Sequence, residues 1–154
     1  MKNNARALFL DRDGVINEDY GYVHKYEDFH FIDGIFELVK EARNKGYLVI
    51  VVTNQAGIGR GHFTEVEFHT LMKWVTKQFS VNGGEIDEIY FCPYHAEFGV
   101  GKYKKESIFR KPGPGMIMNA TKDYKIDLQH SVLIGDKDSD MNAGISAGVG
   151  TNIL

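Results

Sequence analysis

The run Tyr47-Leu48-Val49-Ile50-Val51-Val52-Thr53 restricts the folds open to this chain more than any other stretch. It is apolar almost without a break and rich in β-branched side chains, the pattern of a strand covered on both faces. Such strands belong to parallel sheets whose crossovers are helices. Shorter runs of the same kind occur at Leu8-Phe9-Leu10, at 86–92 and at Val132-Leu133-Ile134, and a last strand is expected over 149–154. Helical patterns fill the intervals. Ile35, Leu38, Val39 and Ala42 make one stripe, with Asp33 as the expected N-cap and Gly46 as its end. Thr64 and Glu67 have capping-box spacing and open a helix carrying Val66, Leu71, Trp74, Val75 and Phe79, with Trp74 read as packing. Two further helices are expected, over 116–124 after a Pro/Gly turn and around Met141, Ala143, Ile145 and Ala147.

Alternating strands and helices predict an α/β fold: a doubly wound, mostly parallel five-stranded sheet with helices on both faces. The 154 residues suffice for one such domain, residues 1–154, and are too few for two. No apolar run approaches the roughly 20 residues of a membrane span. The opening Met1-Lys2-Asn3-Asn4-Ala5-Arg6 lacks the apolar stretch of a signal peptide, and the single cysteine, Cys92, excludes an internal disulfide. A cytoplasmic protein is therefore expected. A net charge of −3 argues against general attraction to nucleic acid or anionic membrane, so an anionic ligand must be drawn in by local cations.

The chemistry gathers where strands end. Leu8-Phe9-Leu10 stops abruptly at Asp11-Arg12-Asp13-Gly14, two carboxylates one residue apart before a glycine. By itself such a tripeptide commonly does no more than cap a turn. Here Thr53 ends the second strand, Asp136 follows the fourth, and Lys111 stands at the head of a helix. Ligands bind at this edge of open α/β sheets. Carboxylates converging on one point repel unless a cation relieves them, and a hard, oxygen-seeking ion such as Mg²⁺ does so most simply. Phosphoryl transfer needs these residue types. Asp11 can form an acyl-phosphate, Asp13 can protonate the leaving oxygen and then activate water, and Thr53 and Lys111 can hold the phosphoryl oxygens. Mg²⁺ on Asp11 and Asp136 would neutralise the meeting anions. The loop Asn17-Glu18-Asp19-Tyr20-Gly21-Tyr22-Val23-His24 and the glycine-rich Thr53-Asn54-Gln55-Ala56-Gly57-Ile58-Gly59 are sited to touch a substrate.

Asp11-Arg12-Asp13-Gly14, Thr53-Asn54, Lys111 and Gly135-Asp136 resemble, in order and context, the four motifs of the haloacid-dehalogenase-like phosphatases. Gly21-Tyr22-Val23-His24, Gln55-Ala56-Gly57-Ile58-Gly59-Arg60-Gly61 and Arg110-Lys111-Pro112 narrow the likeness to the bacterial D-glycero-D-manno-heptose 1,7-bisphosphate 7-phosphatases, which lack a large cap domain. The resemblance implies Asp11 as nucleophile and Asp13 as acid/base, with Mg²⁺ on Asp11, the Asp13 carbonyl and Asp136. It implies contacts to a sugar phosphate from Asp19, Tyr20, Gly21 and Tyr22, from Thr53, Asn54, Gln55 and Ala56, and from Arg110. Lys137 would orient the carboxylates.

The chain departs from that pattern in two places. Many relatives carry a zinc clip of Cys-x-His and Cys-x-Cys; here Cys92 is followed by Tyr94 and His95, and Ser107 and Phe109 replace the second pair. One or two ligands cannot close a tetrahedral site, so no structural zinc is expected, and Phe98, Tyr103 and Phe109 are expected to pack the loop. The chain also stops at Leu154, where such relatives continue, so it reads as either short by nature or truncated. A monomer is expected, with self-association through the uncovered edge as the alternative. The nearest rival activity is histidinol-phosphate phosphatase, whose second motif typically continues Asp-Gly-Leu-Gly, against Ala56-Gly57-Ile58-Gly59 here; Arg60 and Arg110 favour a substrate with two phosphates. A phospho-accepting receiver domain is the rival of another class. It would accept at the end of its third strand, which here reads Phe91-Cys92.

Overall fold

A computed structural model describes residues 4–154; Met1, Lys2 and Asn3 of the opening stretch lie outside the described residues. Five strands, β1 (Ala7–Leu10), β2 (Leu48–Asn54), β3 (Glu88–Cys92), β4 (Val132–Ile134) and β5 (Thr151–Ile153), form one sheet. Its order is β3-β2-β1-β4-β5. Every pairing is parallel, so the expectation of a mostly parallel sheet is met in full. The helices are α1 (Ile35–Asn44), a single turn α2 (Ala56–Gly59), α3 (Glu65–Val81), α4 (Gly115–Tyr124) and α5 (Asp138–Ala147).

Strand alternation builds two cores. Leu8, Leu10, Val49 and Val51 face one side and pack with Val39 of α1 and Phe68, Leu71, Val75 and Phe79 of α3. Ala7, Phe9, Ile50 and Val52 face the other side and pack with Met116, Ile117 and Ala120 of α4 and Ala143 of α5. Each central strand is therefore buried on both faces, the physical reason its sequence is apolar without alternation.

The capping box at Thr64 forms, with the Glu67 N–H donating to the Thr64 hydroxyl and the Thr64 N–H to the Glu67 carboxylate. Trp74 packs against Phe29 and Phe31, pinning the loop after β1 onto α3. Three local expectations are corrected. Gly34, not Asp33, is the N-cap of α1, because the chain enters that helix at φ 88°, a left-handed backbone that glycine adopts freely. Val66 and Ile145 are exposed, and the inward stripe of α3 runs through Phe68 and Met72. The final strand is only Thr151–Ile153.

Candidate active site

The C-terminal ends of β1, β2 and β4, three adjacent strands, meet at Asp11, Thr53 and Asp136. Asp11 is the first residue beyond β1, and its N–H donates to the carbonyl of Ile134. Gly14 turns the chain immediately afterwards at φ +90°, and a methyl group there would lie 2.0 Å from Asp136 Oδ2. The turn thus needs glycine twice over, for its backbone angle and to let Asp136 approach.

Lys111 organises the buried centre. Its Nζ donates to Asp11 Oδ1 at 3.0 Å, to the carbonyl of Val52 at 2.9 Å and to Asp140 Oδ1 at 2.5 Å. Asn54 holds the Lys111 backbone from both sides: its Oδ1 accepts the Lys111 N–H, and its Nδ2 donates to the Lys111 carbonyl. Asp140 in turn accepts the N–H groups of Asp136 and Lys137 through Oδ2. One buried carboxylate thus anchors both the lysine and the turn that carries Asp136.

Oxygens of Asp11, Asp136 and Asp140 lie within 4.8 Å of one another. Four carboxylates, these three and Asp13, stand against two buried cations: Arg12 pairs with Asp13, and Lys111 with Asp11 and Asp140. The surplus matches one divalent ion, and an all-oxygen donor set suits a hard one. Burial pushes the Asp11 carboxyl up to about 7, against the pull of the Lys111 ammonium and with a further push from Asp140.

Asp13 accepts from Arg12 and Asn17 at Oδ1, at 2.8 and 3.0 Å, and from Gln55 Nε2 at Oδ2, at 3.0 Å. The same Gln55 amide donates to the Thr53 hydroxyl at 2.9 Å. Thr53 is fully buried.

A cleft of about 640 Å³ opens beside these groups. Asp11, Asp13, Asn54, Gln55, Ala56 and Lys111 line it together with Asp19, Gly21, Tyr22, Arg110 and Lys137, whereas Thr53 lies beneath the surface and Asp136 faces a neighbouring cavity with Gly14 and Leu154. Tyr20 does not reach it: its ring packs edge-on against His30 and its hydroxyl donates to Glu18. Asp140 fixes the turn that carries Asp136 through the backbone N–H groups of Asp136 and Lys137, while the Lys137 side chain is exposed at the cleft. Sequence reasoning passed over Asp140, Arg12 and Asn17 as site residues. Asp140 had a legible signal, an acid four residues after Asp136 at the start of a helical pattern.

The loop from Tyr94 to the Arg110-Lys111-Pro112 turn docks through close backbone contact. The Val100 N–H donates to the Gly59 carbonyl at 2.8 Å, and a methyl group on Gly59 would meet the Pro93 oxygen at 2.3 Å. Tyr103 and Phe109 pack against the two cores as expected. Phe98 instead stays 53% exposed, with the Arg60 guanidinium 4.3 Å above its ring. Arg60 also donates to the Tyr22 hydroxyl, so three loops meet at the mouth of the cleft.

A family model described as polynucleotide kinase 3 phosphatase matches residues 9–146. The chain is 59% identical, over its whole length and 80% of the relative's, to D-glycero-alpha-D-manno-heptose-1,7-bisphosphate 7-phosphatase of Burkholderia mallei. It is 53% identical, over 96% of its length and 80% of the relative's, to the corresponding beta-anomer enzyme of Vibrio cholerae. A crystal structure of D,D-heptose 1,7-bisphosphate phosphatase from B. bronchiseptica, complexed with magnesium and phosphate, superposes with a TM-score of 0.86 at 26% identity, covering 96% of this chain and 79% of that one. The chain belongs to the haloacid-dehalogenase-like phosphatases, in the branch of the heptose bisphosphate 7-phosphatases.

Proposed function

We propose that this protein removes the 7-phosphate of D-glycero-D-manno-heptose 1,7-bisphosphate through an aspartyl-phosphate, in making activated heptose for lipopolysaccharide or other surface glycans. One observation carries the reading. The cleft that holds the buried Asp11 carboxylate and its lysine is also lined by three further cations, Arg60, Arg110 and Lys137. That much positive charge suits a sugar that carries a second phosphate besides the reacting one.

Asp11, Asp136 and the Asp13 carbonyl would hold Mg²⁺, whose charge lets an anionic nucleophile approach an anionic phosphate. The Asp11 carboxylate attacks phosphorus while Lys111 fixes its orientation. The bond from phosphorus to the sugar oxygen breaks, and that oxygen keeps the electron pair and takes a proton from Asp13. Water then attacks the aspartyl-phosphate and gives its proton back to Asp13; phosphate leaves and Asp11 is restored. Asn54 and Gln55 act mainly by holding Lys111, Thr53 and Asp13, while Asp19, Gly21, Tyr22 and Arg110 contact the sugar and its remaining phosphate. With too few ligands to close a zinc site, the loop 94–109 is held by backbone contact at Gly59 and by the packing of Tyr103 and Phe109. The protein works as a monomer in the cytoplasm, a reading in keeping with its lone, buried and unpaired cysteine.

The test is phosphate release from the α- and β-heptose 1,7-bisphosphates and from histidinol phosphate, each with Mg²⁺. The heptose bisphosphates are expected to react faster, the α-anomer first, following the more similar of the two relatives. Faster turnover of histidinol phosphate would overturn the assignment.

A pH dependence follows from Asp11. Its folded pKa, about 7, lies above the ordinary 3.8, so between those values the folded state holds a proton that the unfolded state has lost. In the metal-free protein this group's contribution to stability therefore falls as pH rises from 3.8 through about 7. Cation binding requires the carboxylate and expels that proton, so affinity for Mg²⁺ should fall about tenfold per pH unit below the folded pKa. Calorimetric titration with Mg²⁺ on either side of neutrality measures this; equal affinities would show Asp11 already ionised.

A further inference from the structure

Arg12 stands between the two functional carboxylates in sequence, yet its side chain has no solvent exposure. Its guanidinium lies 5.6 Å from the Phe29 ring centroid, and Nη1 is 3.9 Å from the Met72 sulfur. Its Nε has no partner. Burying a guanidinium carries a desolvation penalty that a methionine or leucine in the same space would not incur. Packing therefore does not account for it. What the guanidinium does is join two points that no apolar side chain could. Nη2 donates to Asp13 Oδ1 at 2.8 Å and to the Val23 carbonyl at 2.6 Å.

Val23 closes the loop that carries Asp19, Gly21 and Tyr22 to the wall of the cleft. Just before it, Gly21 has φ 84° and Tyr22 has φ 53°. A left-handed backbone is uncommon for a large aromatic residue and persists only where surrounding contacts hold it. Arg12 supplies such a contact at the next carbonyl. With Asn17 it also occupies Asp13 Oδ1, which leaves Oδ2 on the side of Gln55.

We propose that Arg12 is a positioning residue that locks the Asp13 carboxylate and the substrate loop ending at Val23 into one unit, so that the acid/base and the sugar-binding wall are set together. The inference rests on the reading of Asp13 as acid/base.

The test compares Arg12→Met, Arg12→Lys and Asp13→Asn on two substrates by rapid mixing. Nitrophenolate leaves without a proton, whereas a sugar alkoxide needs one. With p-nitrophenyl phosphate, Arg12→Met should give a burst of one nitrophenolate per enzyme at the wild-type rate. Its steady state should then be slowed roughly 10²-fold, the low end of what a positioned acid or base supplies. With heptose bisphosphate the first turnover itself should slow to a similar degree. Inhibition by heptose 1-phosphate should weaken several-fold in Arg12→Met and stay unchanged in Asp13→Asn, because only the former releases the loop. Arg12→Lys keeps a cation but cannot match the fork, so it should fall between Arg12→Met and wild type. If Asp13→Asn shows no burst followed by slow turnover, the acid/base reading itself fails. If it does, the proposal is overturned by Arg12 variants that lose burst and steady state in equal proportion, that match wild type, or that leave heptose 1-phosphate inhibition unchanged.

Discussion

Replacing Asp11 by asparagine is expected to abolish phosphate release, by on the order of 10⁶-fold if Asp11 is the nucleophile, without unfolding the protein. The amide keeps the shape of the carboxylate, and its oxygen can still accept from Lys111 and the Arg12 N–H. It also removes a charge that burial disfavours, since the folded carboxyl is raised to about 7. Above that pH, in the absence of metal, the variant should melt at a temperature equal to or higher than wild type. Mass spectrometry of acid-quenched reactions should find a phosphorylated enzyme in wild type and none in the variant. Undiminished turnover would remove Asp11 as nucleophile.

Lys111→Met should damage stability and catalysis together. Lys111 is 5% exposed and bridges Asp11 and Asp140, so its loss leaves two carboxylates buried without their cation. Removing one member of a buried ion cluster costs about 3–5 kcal/mol, which urea unfolding would register as a lowered midpoint. Turnover should fall by a further 10²–10³ or so, the usual cost of deleting one electrostatic contact to the reacting group. Adding Asp140→Asn to the methionine variant separates the two effects. It removes one stranded charge, so stability should partly return while activity does not. If the double variant is less stable than Lys111→Met, the ion cluster is not what holds this region together.

The sheet was legible because burial on both faces leaves an unbroken apolar run, and β1, β2 and β4 bear such runs. The residues at their ends were legible for a related reason. A carboxylate or hydroxyl directly after a buried strand has few places to go except the open edge of the sheet. Side-chain direction inside the loop after β1 was not legible, because an irregular backbone has no period. Nothing in the sequence tells that Tyr22 turns toward Arg60 while Tyr20 turns toward His30. Asn54 and Gln55 line the cleft, but their bonds to Lys111, Thr53 and Asp13 depend on parts of the chain that only folding brings together. The N-cap of α1 failed for a local reason. Asp33 has the better capping side chain, but the turn needed the backbone freedom of Gly34.

The order β3-β2-β1-β4-β5 puts β1 in the middle, with β2 and β4 as its immediate neighbours. Neighbouring strands in any sheet stand about 4.8 Å apart. Asp11 and Asp136 stand at the ends of adjacent strands, and their oxygens converge, within 4.8 Å, with those of Asp140 from the helix that follows. The reactive centre is thus placed by strand order, where neighbouring strands bring two chain ends side by side. Loops around the rim can lengthen, shorten or exchange residues, and so admit different sugars, without changing the frame on which the chemistry is laid out.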